Sequence, residues 1–376
     1  MIFLKKTGAA LAVAAVALAG CGLAEPEQTA ARPVAQKQGG QWGQVQQQLD
    51  DLVAREEATA ALVRVRTSAG TWAGSAGVAD LESGRPARAD GYFRIGSITK
   101  TFVAVVLLQL ADEGKLRLDE PVARYLPNLV PSGPVTVRDV LQHTSLYRDY
   151  MSDPGYSTNR WRGDERFRGY RPEQLLKVAF SKPAGYPPET KWRYSNTNYV
   201  VAGLLIERLT GHRYGDEVRK RILRPLRLKQ TSLPGNRPGL PRPHANEYAW
   251  LPGGRRVDAT RMNPSLDWAA GEMISTTRDL DRFFDGLLGG RLLSARALAE
   301  MRRTVPANAE FRYGLGLQEY TLPCGVHVRG HSGQLIGYTT YALRSDDGRQ
   351  LTLSVDLGKR TPPGERLYTL AGAVFC

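Results

Sequence analysis

Ser97 and Lys100 are the residues of this chain whose types and spacing most directly suggest chemistry. They form the only Ser-x-x-Lys in the sequence and lie just before an apolar run from Phe102 to Leu110. If a helix begins near Ser97, an offset of three residues places both side chains on one face, about one turn apart. A serine hydroxyl is a weak nucleophile, but a desolvated lysine amine beside it can accept its proton. The pair predicts a nucleophilic serine, although a helix-capping Ser and a surface Lys would give the same spacing.

Tyr194 and Asn196 form a second cluster, in the only Tyr-x-Asn of the chain. They precede an apolar helix predicted from Val200 to Leu209. A phenol can hold or pass a proton, and an Asn amide can grip a substrate carbonyl. Taken alone, the pattern is more typical of turn or capping chemistry.

His331, Ser332 and Gly333 form a third cluster, after a strand predicted over Val326–Arg329. On a strand alternate side chains face the same way, and a glycine leaves room for a substrate to lie along the backbone. A single His beside a Gly is more often a structural residue. The order of the three clusters along the chain is therefore the more informative observation.

In that order, the clusters resemble the signature of the serine penicillin-recognising enzymes: a Ser-x-x-Lys helix start, a Ser/Tyr-x-Asn loop and a Lys/His-x-Gly strand. The Tyr and His versions resemble the branch that holds class C β-lactamases, secreted actinomycete D-alanyl-D-alanine carboxypeptidases and related esterases. Within it, His331 in place of Lys looks closest to the carboxypeptidases. The resemblance covers about residues 45 to 376 and includes four further segments, Phe93–Ser97, Leu141–Ser145, Tyr194–Tyr199 and Ala270–Thr276.

The resemblance implies a role for each cluster. Ser97 would attack a carbonyl and become acylated, while Lys100 and Tyr194 would manage its proton. Burial lowers the pKa of a lysine and a nearby cation lowers the pKa of a phenol, so the sequence does not separate these two as the base. His331 would pass a proton to the leaving amine or position a carboxylate. Asn196 would hold the substrate side-chain amide.

The other substrate contacts are implied in the same way. Ser332 and Gln334 would meet the terminal carboxylate and the acyl chain, beside the open backbone at Gly333. The oxyanion would rest on the backbone N–H groups of Ser97 and Gln334. Trp268 is a candidate wall of the pocket. Leu146 departs from the family pattern, which often has Gly after His-Thr-Ser. The leucine predicts a reshaped loop at this point. It puts the substrate range in doubt more than the chemistry.

These roles predict a serine hydrolase without a metal or an organic cofactor, acting as a D-alanyl-D-alanine carboxypeptidase on peptidoglycan stem peptides. The alternatives are a β-lactamase or an esterase of the same family, or a non-catalytic lipoprotein that binds wall peptide or β-lactam. The sequence has no Gly-x-Ser-x-Gly elbow, which argues against an α/β-hydrolase. Its five His residues show no His-Glu-x-x-His spacing, which argues against a metallohydrolase.

The predicted elements place strands at both ends of the chain and helices between them. This pattern predicts an α+β fold, with an antiparallel sheet built from the N- and C-terminal segments, flanked by helices, and a mostly helical region inserted between them. The hydrolase domain would span 41–376, with the sheet part at about 41–100 and 271–376. The helical part would take about 101–270.

The N-terminus is typical of an export signal. Lys5 and Lys6 precede an Ala/Val/Leu stretch that ends in Leu18–Cys21, a sequence that resembles a bacterial lipobox. We therefore expect a signal peptide over 1–20, lipidation of Cys21, and a flexible tether over 21–40. The protein would be lipid-anchored on the outer face of the cytoplasmic membrane, or secreted.

Cys324 and Cys376 are the other two cysteines, and in an oxidising compartment they predict a disulfide. The formal charge of +14 falls to +12 once Lys5 and Lys6 are removed. Such a surface favours anionic partners. Because the sequence contains no recognisable nucleic-acid-binding motif, we do not expect the partner to be a nucleic acid. The expected partners are a small acyl-D-Ala-D-Ala peptide or a β-lactam, and the membrane through Cys21, with the protein as a monomer.

Overall fold

The computed structural model describes residues 42–183 and 191–376, without the side chain of Leu367. The predicted signal peptide, the lipidated Cys21 and the tether lie outside the described residues. Twelve strands are found in this part of the chain: β1 Ala58–Thr67, β2 Gly70–Gly77, β3 Phe93–Arg94, β4 Tyr248–Trp250, β5 Arg256–Asp258, β6 Ile274–Ser275, β7 Val305–Pro306, β8 Phe311–Tyr313, β9 Gln318–Thr321, β10 His327–Leu335, β11 Tyr338–Ser345 and β12 Gln350–Leu357.

Helices occupy the middle of the chain and both ends of its described part. Their bounds are α1 Gly43–Ala54, α2 Thr99–Asp112, α3 Val122–Tyr125, α4 Val137–Gln142, α5 Pro172–Phe180, α6 Asn196–Thr210, α7 Tyr214–Val218, α8 Thr277–Leu288, α9 Ala295–Arg302 and α10 Gly364–Phe375. Within the described ranges, the helices are too short or too polar to cross a membrane.

Eight strands form one antiparallel sheet in the order β2-β1-β12-β11-β10-β9-β8-β7. Strand β1, near the N-terminus, pairs with β12, near the C-terminus, so both ends of the fold contribute to the same sheet. This confirms the expected α+β architecture. The predicted limits of the sheet and helical parts stay a prediction.

The sheet separates two apolar cores. On β11, Tyr338 and Ala342 face the core beneath the central helices, whereas Tyr341 and Leu343 face α1 and α10. This alternation is the period-2 pattern of a strand buried on both faces. The disulfide between Cys324 and Cys376 is present and joins the end of α10 to the β9–β10 turn, with a Cα–Cα distance of 6.1 Å.

Helix α2 lies at the centre of the helical side, with most of its residues buried all round its circumference. A short 3-10 turn, Gly96–Ile98, leads into it and carries Ser97 at the surface of this buried helix. Gly96 has φ +50°, and a Cβ there would lie 3.0 Å from the Gln334 backbone nitrogen. The left-handed backbone and the close approach of β10 together require glycine at this position.

Two local features differ from the expectations. Strand β10 extends to Leu335, so His331, Ser332 and Gly333 lie inside the strand and not after it. Leu146 adopts φ +56°, a backbone conformation that favours glycine. The turn after Ser145 therefore has the left-handed geometry of a glycine turn, although the chain places a leucine there.

Candidate active site

Ser97 and Lys100 meet at the start of α2. The Lys100 side chain is completely buried, and its Nζ lies 2.9 Å from Ser97 Oγ, 2.8 Å from Asn196 Oδ1 and 2.7 Å from the carbonyl oxygen of Ala270. The three-residue offset produces the first contact because the 3-10 turn continues directly into the helix. The other two contacts join the lysine to α6 and to the loop before β6.

The hydrogen-bond partners of Lys100 determine which way its amine hydrogens point. The amide oxygen of Asn196 and the carbonyl oxygen of Ala270 can only accept hydrogen bonds. A neutral amine has two hydrogens, which these two oxygens take, and one lone pair, which then faces Ser97 Oγ. In the neutral state Lys100 is thus arranged to accept the Ser97 proton.

Burial favours that neutral state. It lowers the pKa of Lys100 from its ordinary 10.5 to about 7, opposed by the negative charges of Asp149 and Asp267. Desolvation disfavours the charged ammonium more than these carboxylates favour it. A substantial fraction of Lys100 is therefore neutral near pH 7.

Tyr194 completes the contact with the nucleophile, as its phenol donates a 2.7 Å hydrogen bond to Ser97 Oγ. Its ring lies 4.9 Å from Lys100 Nζ and packs at 4.3 Å on the imidazole of His143. Burial raises the pKa of the phenol well above its ordinary value, contrary to the lowering considered from the sequence. Tyr194 is consequently a proton donor at neutral pH.

A cleft with a volume of about 760 Å³ opens over Ser97. Tyr194, Asn196, Ser332 and Gln334 all line it, so the structure brings these predicted residues together. A Cβ at Gly333 would lie 2.1 Å from the carbonyl oxygen of Ile95, so only glycine lets β10 approach the segment before Ser97 this closely. The backbone segments expected to supply the oxyanion N–H groups therefore lie in contact.

A sequence model of the Beta-lactamase family matches residues 45–370 of the chain. The chain belongs to the beta-lactamase family. Its named relatives include penicillin-binding proteins and an esterase, and this beta-lactamase family protein shares its fold with solved amidases.

Three relatives illustrate the range of the family. Penicillin-binding protein 4* of Bacillus subtilis (strain 168) is 28% identical over 293 residues, which cover 73% of this chain and 63% of that protein. The structure of a D-stereospecific amidohydrolase from Streptomyces sp. is 37% identical, with a TM-score of 0.81, covering 88% of this chain and 98% of that one. The D-amino acid amidase of Ochrobactrum anthropi SV3, complexed with L-phenylalanine amide, is 29% identical, with a TM-score of 0.79 and coverage of 89% and 98%.

His331 lies beneath the cleft and does not line it. Its Nε2 lies 2.8 Å from the Tyr313 hydroxyl and its Nδ1 lies 2.5 Å from the backbone oxygen of Ser332. Because the carbonyl can only accept, Nδ1 carries the proton and Nε2 accepts from Tyr313. Burial lowers the pKa of His331 to about 3, so the ring is neutral. In this beta-lactamase family member it connects β10 to β8 rather than contacting the nucleophile.

Trp268 does not form a wall of the cleft, which corrects the sequence-based assignment. Its ring packs at 4.8 Å on Tyr214 and lies against Gly203, and the residue lines a second cavity. Its backbone has φ +39°, a left-handed conformation that is uncommon for a non-glycine residue. Asp267, and not Trp268, lines the cleft.

Four residues of the site are not among those predicted from the sequence. Asp149 and Asp267 are acidic residues of the cleft, and Gln318 accepts the backbone N–H of Ser332 at 2.6 Å. His143 lies in the family segment Leu141–Ser145 without a predicted role, yet its Nδ1 accepts the backbone N–H of Ser195 at 3.2 Å and so orients the Tyr194 loop. Asp149 follows the family segment Leu141–Ser145 and Asp267 precedes the segment Ala270–Thr276, so their position next to these segments was the signal that could have identified them. Gln318 had none.

Within 42–183 and 191–376, His, Cys, Asp and Glu side chains do not gather in groups of three or more that could hold an ion.

Proposed function

We propose that this protein is a D-stereospecific serine amidohydrolase whose specific activity is that of a D-alanyl-D-alanine carboxypeptidase. The main support for a nucleophilic Ser97 is the hydrogen-bond pattern around Lys100. This pattern leaves the lone pair of the neutral amine directed at Ser97 Oγ. Ser97 attacks the carbonyl carbon of the D-residue as Lys100 takes the hydroxyl proton. Tyr194, which carries its proton at neutral pH, donates it to the amine nitrogen as the C–N bond breaks, and the proton held by Lys100 then restores the phenol. Water hydrolyses the acyl-serine ester, which releases the acid and returns a proton to Ser97.

The composition of the cleft supports a small peptide as substrate. Arg148 and Arg193 line it and contribute positive charge, which suits the terminal carboxylate of a peptide. Ser332 and Gln334 lie on β10 beyond Gly330, where its pairing with β9 ends, and they line the cleft with groups that can hydrogen-bond an extended substrate. A similarity to proteins named as acting on D-amino acid amides, as well as to penicillin-binding proteins, supports D-configured substrates.

The test compares three substrates on wild-type protein and on Ser97→Ala. We expect release of D-Ala from an acyl-D-Ala-D-Ala peptide, and a long-lived benzylpenicillin adduct on Ser97 in intact-protein mass spectra. Both should be lost in Ser97→Ala. Rapid release of hydrolysed penicillin would instead identify a β-lactamase. Turnover of a p-nitrophenyl ester with no adduct would identify an esterase, and activity unchanged in Ser97→Ala would refute the serine mechanism.

We also propose that the protein is exported and held at the outer face of the cytoplasmic membrane by a lipid on Cys21. The Leu18–Cys21 sequence and the disulfide between Cys324 and Cys376, a bond typical of oxidising compartments, support this location. Fractionation of cells that express the wild type should place the protein with membranes. Cys21→Ala should remove the lipid mass and change that distribution, and an unmodified Cys21 in the mature wild type would refute the anchor.

A further inference from the structure

A cavity with a volume of about 140 Å³ adjoins the active-site cleft on the α10 side of the sheet, and we call it the α10 cavity. Ser332 and Phe311 line both the cleft and this cavity. The centroid of the Phe311 ring lies 6.0 Å from that of Trp192, in the cleft wall, and 5.5 Å from that of Tyr320, in the cavity wall. A group attached to a ligand in the cleft therefore needs to pass only Ser332 and Phe311 to enter the α10 cavity.

The walls of the α10 cavity are mainly aliphatic and aromatic. Its buried lining residues are Tyr320, Leu322, Leu343, Leu351, Leu353 and Ala371. The Tyr320 hydroxyl donates to Gln318 Oε1 at 2.8 Å, so the hydrogen bond of this phenol is already made within the protein. Glu310, the charged residue of the lining, is exposed to solvent. Because an apolar cavity of about 150 Å³ holds a benzene molecule, the α10 cavity suits a group of the size of a phenyl ring.

The side chain of Ser332 lies on the face of β10 that is directed toward the α10 cavity. Its partner on β11, Tyr341, packs against the core beneath α10, and directly opposed residues of antiparallel strands share a face. The pairing of β10 with β9 ends at Gly330, which leaves this edge of the strand open to the cleft. A peptide extended along the open edge alternates its side chains as a strand does. Its residue opposite Ser332 consequently directs its side chain toward the α10 cavity.

Two observations indicate that this residue is the last of the peptide. The backbone N–H of Ser332 already donates to Gln318 Oε1 at 2.6 Å, so the backbone pairing that β10 offers to a ligand ends here. A terminal carboxylate is also disfavoured on the α6 side of the cleft, where Asp149 accepts a hydrogen bond from Asn196, because like charges repel. The carboxyl end of the peptide therefore lies on the β10 side, next to the α10 cavity.

We infer that the α10 cavity binds the side chain of the leaving residue, the C-terminal D-amino acid, and favours a bulky apolar side chain over the methyl group of D-alanine. The inference rests on the proposed function and concerns the leaving residue alone. D-Alanine is still released, because its methyl group leaves the cavity unfilled without a clash. Transfer of a phenyl-sized group from water into the cavity should raise kcat/KM by about 10- to 100-fold.

Three peptides test this specificity: acetyl-D-Ala-D-Ala, acetyl-D-Ala-D-Phe, and phenylacetyl-D-Ala-D-Ala, which carries its aromatic group on the acyl side. For the wild type, kcat/KM should be about 10- to 100-fold higher for acetyl-D-Ala-D-Phe than for acetyl-D-Ala-D-Ala. Ala371→Phe fills the cavity from α10 and should bring the two values together. Ala371→Leu fills it less, should lower the ratio in part, and keeps the test available if the larger side chain prevents folding.

Ala373→Phe is the matched control, because it adds the same side chain at an exposed position of α10 and should leave the ratio unchanged. Equal turnover of the two acetyl peptides by the wild type would overturn the inference. A ratio that survives both Ala371 variants would also overturn it, by placing the aromatic group elsewhere in the cleft. Selective loss of phenylacetyl-D-Ala-D-Ala turnover in Ala371→Phe would assign the cavity to the acyl side and overturn it too.

In each of these outcomes, release of D-Ala from acetyl-D-Ala-D-Ala by the wild type leaves the proposed function intact. If the wild type hydrolyses none of the three peptides and forms no benzylpenicillin adduct on Ser97, the proposed function itself is refuted, and the inference with it.

Discussion

Lys100 Nζ lies 2.9 Å from Ser97 Oγ at the base of the cleft, with the lysine completely shielded from water. The same nitrogen contacts two acceptor oxygens contributed by α6 and by the loop before β6. Proton transfer from Ser97 therefore depends on a residue whose charge is set by burial. That dependence is open to measurement.

Acylation of Ser97 should become faster as the pH rises through about 7. Burial lowers the pKa of Lys100 to about 7, so the protonated lysine that dominates below this pH cannot act as base. Single-turnover acylation by benzylpenicillin, followed by intact mass against pH, measures the midpoint. Burial also raises the pKa of Asp267 to about 7, so Asp267→Asn serves as the control. If that variant abolishes the pH dependence, Asp267 and not Lys100 is the group that titrates.

Removal of the Tyr194 hydroxyl should slow acylation by at least about 100-fold, the lower range for a proton-transferring group. Its phenol is held neutral by burial, so Tyr194→Phe should leave the pH midpoint near 7 unchanged. Tyr199→Phe is the matched control, because its hydroxyl donates to the Leu141 backbone oxygen and its ring also lies near Lys100. A pH midpoint that moves in Tyr194→Phe but not in Tyr199→Phe would make the phenol the base.

Substitutions at Leu146 can measure whether its left-handed backbone conformation lowers the free energy of unfolding. Leu146→Gly relieves the strain at φ +56° but adds freedom to the unfolded chain, so the free energy of unfolding should change by less than about 1 kcal/mol. Leu146→Val places a β-branched residue in the same conformation and should lower that free energy by about 1–2 kcal/mol. Urea denaturation of both variants makes the comparison. Equal stabilities would show that the turn adopts another backbone conformation in solution.

The disulfide should stabilise the sheet face that carries α10. Opening the link between Cys324 and Cys376 by a double Cys→Ser change should lower the free energy of unfolding by about 2–4 kcal/mol. Thermal unfolding with and without reductant provides the measurement, and reductant should not affect the double variant further. Benzylpenicillin labelling of Ser97 at low temperature should be retained, because α10 covers the core on the face away from the central helices. Loss of labelling would show that the packing of α10 affects the reactivity of Ser97.

Features that depend on local spacing could be predicted from the residues alone. A three-residue offset in a helix brings Ser97 and Lys100 together whatever surrounds them, and alternation identifies the strands near the C-terminus. The ordered motifs then identified the family and the α+β fold. Asn196 and Tyr194 were found because their cluster is short and contiguous.

Which residues face the cleft, and how they are charged, depends on packing between distant segments and could not be predicted from spacing. Asp149 and Asp267 are far apart in sequence and meet around Lys100 through packing, which no spacing encodes. Trp268 lines a second cavity and packs on Tyr214, and His331 is buried against Tyr313 of β8; both contacts join segments that are distant in sequence. The pKa values that assign Lys100 as acceptor and Tyr194 as donor follow from burial, a property of the whole fold and not of any segment.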